Sequence, residues 1–280
     1  MKKFGAKTSA EVLYESSEIL DKEPDVDLAE RSLIGSLKLL EGLYLQNPGD
    51  KKVLTLLVKS YAGYAYGFTE NELLRHKNES PEYQTALLRA QRFYTRAKDY
   101  GLELLSKNNA FAKAKDLESY QNALQQFGKQ DLEALFWTAF AWGNYLNYHK
   151  DSITALADIP RIEALMQRVM ELDENYYYGG AHLFFGVMNS SRPKALGGNP
   201  EKALEHFNQA RQISENKNLM VSVAEAQFYA VQIQDKKLFR QLLNEVNNQE
   251  ADILPEQRLM NELAKIRSQL LLKKESTYFN

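Results

Sequence analysis

The chain has 280 residues, of which 44% are hydrophobic and 26% are charged, and it contains no cysteine. This is the composition of an ordinary globular protein, and the length allows one large domain or two smaller ones. Because 35 Lys and Arg residues meet 37 Asp and Glu residues, the formal net charge is −2 and there is no global positive field to hold a nucleic acid. The lack of cysteine excludes disulfides, thiol nucleophiles and thiolate metal sites.

No uncharged stretch predicts a membrane-spanning helix. The longest stretches, 175–191 and 134–149, are shorter than the roughly 18–20 apolar residues of a span, and both contain Asn and His. The chain begins MKKFGA, without the apolar run of a signal peptide. Two cases stay open from the sequence: a cytoplasmic protein, or a chain from which a targeting segment has been removed.

Apolar residues recur every three or four positions, which predicts helices throughout the chain. Gly and Pro are scarce, and no segment alternates polar and apolar residues as a strand would. Pro193 and the segment 197–200 indicate a loop, with Pro200 at a first helical turn, and Pro255 opens the last helix. The predicted helices are 8–20, 27–46, 51–70, 81–106, 110–127, 131–149, 160–172, 176–190, 200–214, 217–234, 235–248 and 255–273.

Two segments carry the small–large–small spacing of the second helix in a tetratricopeptide repeat (TPR). In the segment NPEKALEHFNQA, Ala203, Phe207 and Ala210 follow the order A-x3-F-x2-A. Small residues let two helices approach, and the large residue fills the gap between them. The second segment is Ala90/Tyr94/Ala97, and two looser copies are, in order of decreasing agreement, Ser36/Leu40/Leu43 and Ile162/Met166/Val169.

The predicted fold is an all-α, TPR-like α-α superhelix of helical hairpins, with stretched, degenerate repeats and flanking helices. Equivalent first-helix positions at Trp137, Gly180 and Val221 are 43 and 41 residues apart, against about 34 in a standard repeat. Without a low-complexity linker, the simplest organisation is a single domain over 1–280. Its predicted parts are N-terminal helices over 1–48, hairpins over 50–250 with 110–127 as an insertion, and a C-terminal capping helix and tail over 255–280.

The predicted first helices are almost uncharged, and in a TPR solenoid the first helices line the concave face. This register predicts an apolar, aromatic ligand cleft, with Trp137 and Phe140 holding the scaffold. A plain core stays open as the alternative, and within it His182 would be a hydrogen-bonded core histidine. The predicted cleft residues are Leu135, Thr138, Trp142, Asn144, Tyr145, Tyr178, His182, Phe185, Met188 and Tyr229, with Ala181 and Ala226 between them.

The sequence carries no catalytic or cofactor motif, so we expect a protein that is not an enzyme and that holds no cofactor and no metal. Its four histidines, His76, His149, His182 and His206, show no metal-ligand spacing. No P-loop, dinucleotide fingerprint or nucleophile elbow occurs. Short basic pairs are flanked by Asp, so nucleic-acid binding is not expected either.

From Glu23 to Phe279 the chain resembles a known family, the T component of tripartite ATP-independent periplasmic (TRAP) transporters, or TatT family. The specific part runs from Ile159 to Gly186 and on to Pro200. It combines GGAH at 179–182 with LGG at 196–198 at a separation that a generic TPR would not give. The other segments are EPDVDLAERSLIGSLKLLEGLYLQNP, ALFWTAFAWGNYLN and LMNELAKIRSQLLLKKESTYF.

The resemblance implies a periplasmic protein, typically lipid-anchored, with a hydrophobic cleft. It also implies association with the transporter's substrate-binding subunit and self-association, with a trimer as the plausible state. The function expected on this basis is a non-enzymatic accessory protein of solute uptake that binds a hydrophobic or amphipathic small molecule in the aromatic cleft. Two alternatives are a TPR-type protein–protein interaction scaffold without a small-molecule ligand and a cytoplasmic TPR adaptor.

Overall fold

The structure, a computed structural model, describes residues 2–192 and 197–279, and every regular element in these ranges is helical. The all-α class is therefore confirmed. The helices are α1 (Lys2–Glu15), α2 (Ser17–Asp21), α3 (Val26–Gln46), α4 (Lys51–Tyr64), α5 (Glu70–Arg75), α6 (Pro81–Leu105), α7 (Asn109–Lys113), α8 (Leu117–Leu124), α9 (Leu132–Asn147), α10 (Ile153–Leu156), α11 (Ile159–Leu172), α12 (Tyr176–Ser190), α13 (Pro200–Ile213), α14 (Leu219–Ala224), α15 (Lys236–Asn248), α16 (Arg258–Lys273) and α17 (Glu275–Tyr278).

The contacts between Cα atoms divide the chain into two compact units. Unit 1 consists of the described residues up to Leu20 together with Asp27–Asp173, and unit 2 consists of Asp21–Val26 and the described residues from Glu174 onwards. The single-domain organisation stays a prediction, and each unit is described by itself below. Pro193 and Leu196, which the sequence places in a loop and in a family segment, lie outside the described residues.

Two of the predicted helices contain a π-helical turn, and two predictions of a single helix are wrong. The predicted helix 8–20 is instead α1 and α2, which a turn at Ser16 separates. The π-turns are Ala65–Thr69, which follows α4, and Glu225–Ala230, which follows α14. The predicted helix 110–127 is instead two helices, α7 and α8. The break occurs because Asp116 adopts an extended conformation and its side chain accepts a hydrogen bond from the backbone N–H of Ser119, which starts α8 with a capping box.

Other helix ends follow the sequence signals. The Asp50 side chain accepts hydrogen bonds from the backbone N–H groups of Lys52 and Val53 at 3.0 and 3.3 Å, which begins α4. The Asn199 side chain caps α13 in the same way, with Pro200 in its first turn as predicted. Pro255 opens a 3₁₀ turn, Pro255–Gln257, that leads directly into α16.

The TPR-type spacing places helix pairs in contact within each unit. In unit 2, α12 packs on α13, and Ala203, Phe207 and Ala210 are fully buried in one cluster with Val221 and Ala224. In unit 1, α6 packs against both α4 and α9 and buries Ala90, Tyr94 and Ala97 completely. The looser copy Ile162/Met166/Val169 on α11 is fully buried as well. The helix-pair packing therefore agrees with the predicted repeat-like fold.

Among the described residues, no helix combines the length and the apolar character that crossing a membrane requires.

Candidate functional site

The predicted cleft residues of unit 1 lie on α9 and fall into two groups. Leu135 and Thr138 are fully buried, and Trp142 is 4% exposed. Asn144 and Tyr145 are half-buried. The hydroxyl of Thr138 lies against Gly101 of α6, where an added Cβ would come within 2.6 Å of Oγ1. Thr138 therefore serves the close contact between α6 and α9, and the surface that α9 leaves partly accessible carries Asn144 and Tyr145.

The partly accessible face of α9 is aromatic and carries an oriented amide. The Asn144 side chain donates from Nδ2 to the carbonyl oxygen of Phe140 at 3.0 Å. Phe140 is half-buried, and its ring meets that of Tyr66 edge-on, with the centroids 5.2 Å apart. Because Nδ2 is held by the helix, the carboxamide oxygen of Asn144 is left to accept a hydrogen bond from another group.

Tyr145 makes two further ring contacts in unit 1. The Lys98 ammonium lies 4.0 Å from the centroid of the Tyr145 ring, and the His149 ring stacks on the same ring at 4.0 Å. A cation over a tyrosine face contributes on the order of 0.5–2 kcal/mol, depending on its desolvation. The position of the Tyr145 ring is therefore fixed by charged and aromatic neighbours.

The predicted cleft residue Tyr178 belongs to a left-handed turn at the start of α12. Tyr177, Tyr178 and Gly179 have φ values of 49°, 57° and 75°, so the regular right-handed helix begins only after Gly179. The left-handed conformation costs roughly 1–2 kcal/mol for a residue with a Cβ atom. Two successive tyrosines in this conformation therefore make the turn a strained segment.

The Gly179→Ala variant is expected to lose about 2–3 kcal/mol of unfolding free energy. At Gly179 a Cβ atom would meet the Cα atom of Ala210 at 3.2 Å, so the variant suffers both backbone strain and overpacking. Gly197 is the matched control, because it also has a positive φ (84°) but only the Arg192 guanidinium at 4.0 Å. Urea unfolding should show a loss for Gly197→Ala that is smaller by about 1 kcal/mol or more, and equal losses would contradict this account.

The predicted cleft residues His182 and Phe185 come together around His206, a residue that the sequence analysis left unassigned. The Nδ1 atoms of His182 and His206 are 3.0 Å apart, and the Phe185 ring stacks on His206 with the centroids 5.3 Å apart. A hydrogen bond between two imidazole nitrogens needs one proton, so one ring donates and the other accepts. On the far side of His182, Nε2 lies 3.8 Å from the Glu174 carboxylate.

Burial favours the neutral form of both rings. It lowers the pKa of His206 to about 4, with the neighbouring His182 and Lys202 acting in the same direction. Burial also lowers the pKa of His182, against the opposing effect of Glu174. Since the unfolded chain has a histidine pKa near 6.5, it binds more protons than the folded chain between about pH 6.5 and 4. The stabilisation by the neutral pair is thus complete above pH 6.5 and is lost as the pH falls towards 4.

We expect the His206→Gln variant to show a flatter dependence of unfolding free energy on pH than the wild type between pH 6.5 and 4. Between pH 6.5 and 4 the unfolding free energy of the wild type should fall by about 1–2 kcal/mol more than that of the variant. This is less than the full pKa shift of His206 implies, because its side chain is only half-buried and solvent screens the charge. Urea titrations at half-unit pH steps measure it. An identical slope in the variant would show that the pair does not control acid stability.

The two remaining predicted cleft residues of unit 2, Met188 and Tyr229, differ in their exposure to solvent. Met188 is 7% exposed, and Tyr229 is half-buried on the π-turn Glu225–Ala230. The Tyr229 ring packs against the cluster around Phe207. Single π-turns inside helices occur frequently at functional sites, and no residue pattern in the sequence predicts this one.

One pattern occurs in both units and could have been found in the sequence. Asn189 donates from Nδ2 to the carbonyl oxygen of Phe185 at 2.8 Å, as Asn144 does to Phe140. In each unit the pair is a half-buried Phe followed four residues later by a half-buried Asn. The signal is F-x3-N, repeated after 45 residues. Each unit therefore presents an aromatic ring beside an amide oxygen that can accept a hydrogen bond.

No group of three or more His, Asp or Glu side chains that could hold a metal ion occurs in the ranges 2–192 and 197–279. The His182–His206 pair offers two ring nitrogens, one fewer than the three protein ligands of the usual catalytic metal site.

The comparison with known proteins concerns nearly the whole chain. A family model described as TRAP transporter T-component matches residues 22–279. An uncharacterized protein of Treponema pallidum (strain Nichols) is 25% identical over 200 residues, which are 68% of this chain and 60% of that relative. The chain thus spans less than two thirds of the length of this relative.

Proposed function

The chain belongs to the TRAP transporter T-component family, and we propose that it binds a hydrophobic or amphipathic small molecule and associates with the substrate-binding subunit of such a transporter. The family provides accessory components of periplasmic transport and is not a known enzyme family. The main support for the proposal is the match to the family model over residues 22–279, which covers nearly the whole chain.

The ligand part of the proposal is supported by the half-buried aromatic faces of α9 and α12, each within its own unit. Phe140 and Asn144 in unit 1, and Phe185 and Asn189 in unit 2, combine a ring with an oriented amide. Ligand sites in proteins are mostly apolar with a few fixed polar groups. In this proposal the ring of each unit binds the apolar part of a ligand, and the polar part is contacted by Asn144 in unit 1 or by His182 in unit 2.

The test of ligand binding uses the fluorescent probe 1-anilinonaphthalene-8-sulfonate and mass spectrometry of molecules that co-purify with the chain. Replacing Phe140 and Phe185, the half-buried rings of the two units, together by Ala should weaken probe binding and ligand retention. Ile153→Ala is the control because that side chain is 84% exposed. Unchanged binding in a folded double variant would refute ligand binding by these aromatic faces. The alternative, an interaction scaffold without a small-molecule ligand, would then be favoured.

The partner and assembly parts are tested by size-exclusion chromatography with light scattering. The chain is measured alone and mixed with a TRAP substrate-binding subunit from the same organism. A complex of defined stoichiometry supports the association. We also propose that the chain self-associates as a trimer, which the mass of the chain measured alone tests. Separate elution at tens of micromolar would contradict the association. We also propose that the native protein carries a lipid anchor, which mass spectrometry of the protein purified from the membrane fraction tests.

A further inference from the structure

A cavity of about 470 Å³ lies within unit 1, where α4 and α9 begin and α6 ends. This volume falls within the roughly 300–1,000 Å³ typical of small-molecule sites. No residue of the predicted aromatic cleft lines it. Its wall combines three lysines, two carboxylates, hydroxyl and amide groups and an apolar surface, and the lining residues are Tyr14, Lys51, Lys52, Thr55, Leu104, Leu105, Lys107, Asn108, Phe127, Gln130, Asp131, Glu133 and Ala134.

Two of the three lysines in the wall already have a carboxylate partner. Lys52 pairs with Glu11 at 2.5 Å, and Lys107 lies 3.6 Å from Glu103. Lys51, in the first turn of α4, is exposed, and no carboxylate of the described residues pairs with its ammonium group. Lys51 is therefore the cation of this wall that is available to a ligand.

The two carboxylates of the wall accept hydrogen bonds but have no cationic partner among the described residues. Glu133 accepts a hydrogen bond from the Tyr14 hydroxyl. Burial and the Glu133 carboxylate both raise the pKa of the Tyr14 phenol, so the hydroxyl keeps its proton and remains a donor. Asp131 accepts from the Gly128 backbone N–H at 3.1 Å and from the Gln130 amide at 2.9 Å. Their negative charges therefore have no ion partner, and the start of α9, where both lie, favours the ionised form through the helix dipole.

One ammonium group and two carboxylates without ion partners thus share one cavity, beside the apolar side chains of Leu104, Leu105 and Phe127. The two carboxylates would repel a ligand with two negative charges. A ligand with only a positive charge would form no ion pair with Lys51. We propose that this cavity binds a zwitterion with an apolar side chain, a free amino acid or a short peptide. Lys51 binds its carboxylate, Asp131 and Glu133 bind its ammonium group, and the apolar wall contacts its side chain.

Isothermal titration calorimetry on the full chain tests the proposal with five probes: leucine, trileucine, N-acetyl-trileucine, trileucine amide and leucine amide. The acetyl group removes the ammonium charge, and the amide removes the carboxylate charge. We expect leucine or trileucine to bind, and blocking either charge to weaken binding at least tenfold. Comparing leucine with trileucine tells the free amino acid from the peptide. Equal binding of blocked and free probes, or no heat from any probe at millimolar concentration, would overturn the proposal.

Two variants assign the two charges. Lys51→Gln should abolish the preference for the free acid over the amide, and Glu133→Gln should abolish the preference for the free amine over the acetylated peptide. The Gln side chain still accepts a hydrogen bond from Tyr14, and Asp131→Asn is a second variant should Glu133→Gln fail to fold. Lys38→Gln is the control, since this lysine of α3 has a 70% exposed side chain outside the cavity wall. Unchanged selectivity in the folded variants would refute the assignment.

The same titrations on the Phe140→Ala and Phe185→Ala double variant distinguish this site from the predicted aromatic cleft. Neither residue lines the cavity of unit 1, so zwitterion binding should persist at the wild-type affinity. A loss of zwitterion binding in this variant, with the fold intact, would place the probe in the cleft and overturn the proposal.

Discussion

Replacing Glu225 by Gln is expected to lower the unfolding free energy by about 3 kcal/mol. Glu225 is 3% exposed at the start of the π-turn after α14, and it forms an ion pair with Arg211 of α13. Removing one partner of a buried pair leaves the other charge without compensation, at a cost of roughly 3–5 kcal/mol. We expect the lower end of this range because the Arg211 side chain is 21% exposed, so water partly compensates its charge.

The buried environment of Arg211 explains why the protein is expected to lose stability when Glu225 is replaced. Burial lowers the pKa of the guanidinium, which means that desolvation disfavours its charge, and Glu245 opposes this effect only in part. Glu245 is exposed, so its carboxylate interacts through solvent. Glu225 is the carboxylate in close, buried contact with Arg211, so its replacement leaves the guanidinium without a buried counter-charge.

Urea unfolding followed by circular dichroism at 222 nm measures this loss, with Glu245→Gln as a control that should change stability by less than about 1 kcal/mol. The double replacement Arg211→Met with Glu225→Leu removes both charges and should recover most of the stability, because apolar residues of similar volume can replace a buried pair. A double variant as unstable as Glu225→Gln would show that the charge left behind is not the cause.

The parts of the fold that the sequence predicted depend on neighbours along the chain. The Ala203/Phe207/Ala210 spacing and the caps at Asp50 and Asn199 act within one or two helical turns, so the residues alone indicate them. The break before α8 depends on a local capping box at Asp116 as well, and it could have been predicted.

The candidate site depends on contacts that the sequence does not encode locally. His182 and His206 are 24 positions apart, and only the packing of α12 on α13 brings their Nδ1 atoms together. The left-handed turn at Tyr177 and Tyr178 goes against the preference of its own residues, so no propensity argument predicts it. The π-turns have no sequence signature either, and they place Tyr66 and Tyr229 in the structure.

Replacing Phe207 by Ala is expected to cost about 3–5 kcal/mol, the usual range for a large aromatic side chain that is fully buried. Phe207 is the large residue of the TPR-type spacing, and its ring lies over Gly186 of α12. A Cβ atom at Gly186 would come within 2.9 Å of two ring carbons, so the missing side chain is what lets α12 and α13 approach. Thermal or urea unfolding measures the loss.

A double-mutant cycle tests this interlocking of Phe207 with Gly186 directly. In the wild type, Gly186→Ala should destabilise by about 1–3 kcal/mol because it overpacks the ring. In a Phe207→Leu background the ring is gone, so the same change should become neutral or stabilising by up to about 1 kcal/mol, which is the helix preference of Ala over Gly. Gly63→Ala in α4 is the control: a Cβ atom there meets nothing within 4 Å, so it should stabilise the wild type by about 0.5–1 kcal/mol. Gly186→Ala effects that are equal in both backgrounds would mean that the close approach of the two helices does not depend on the ring of Phe207.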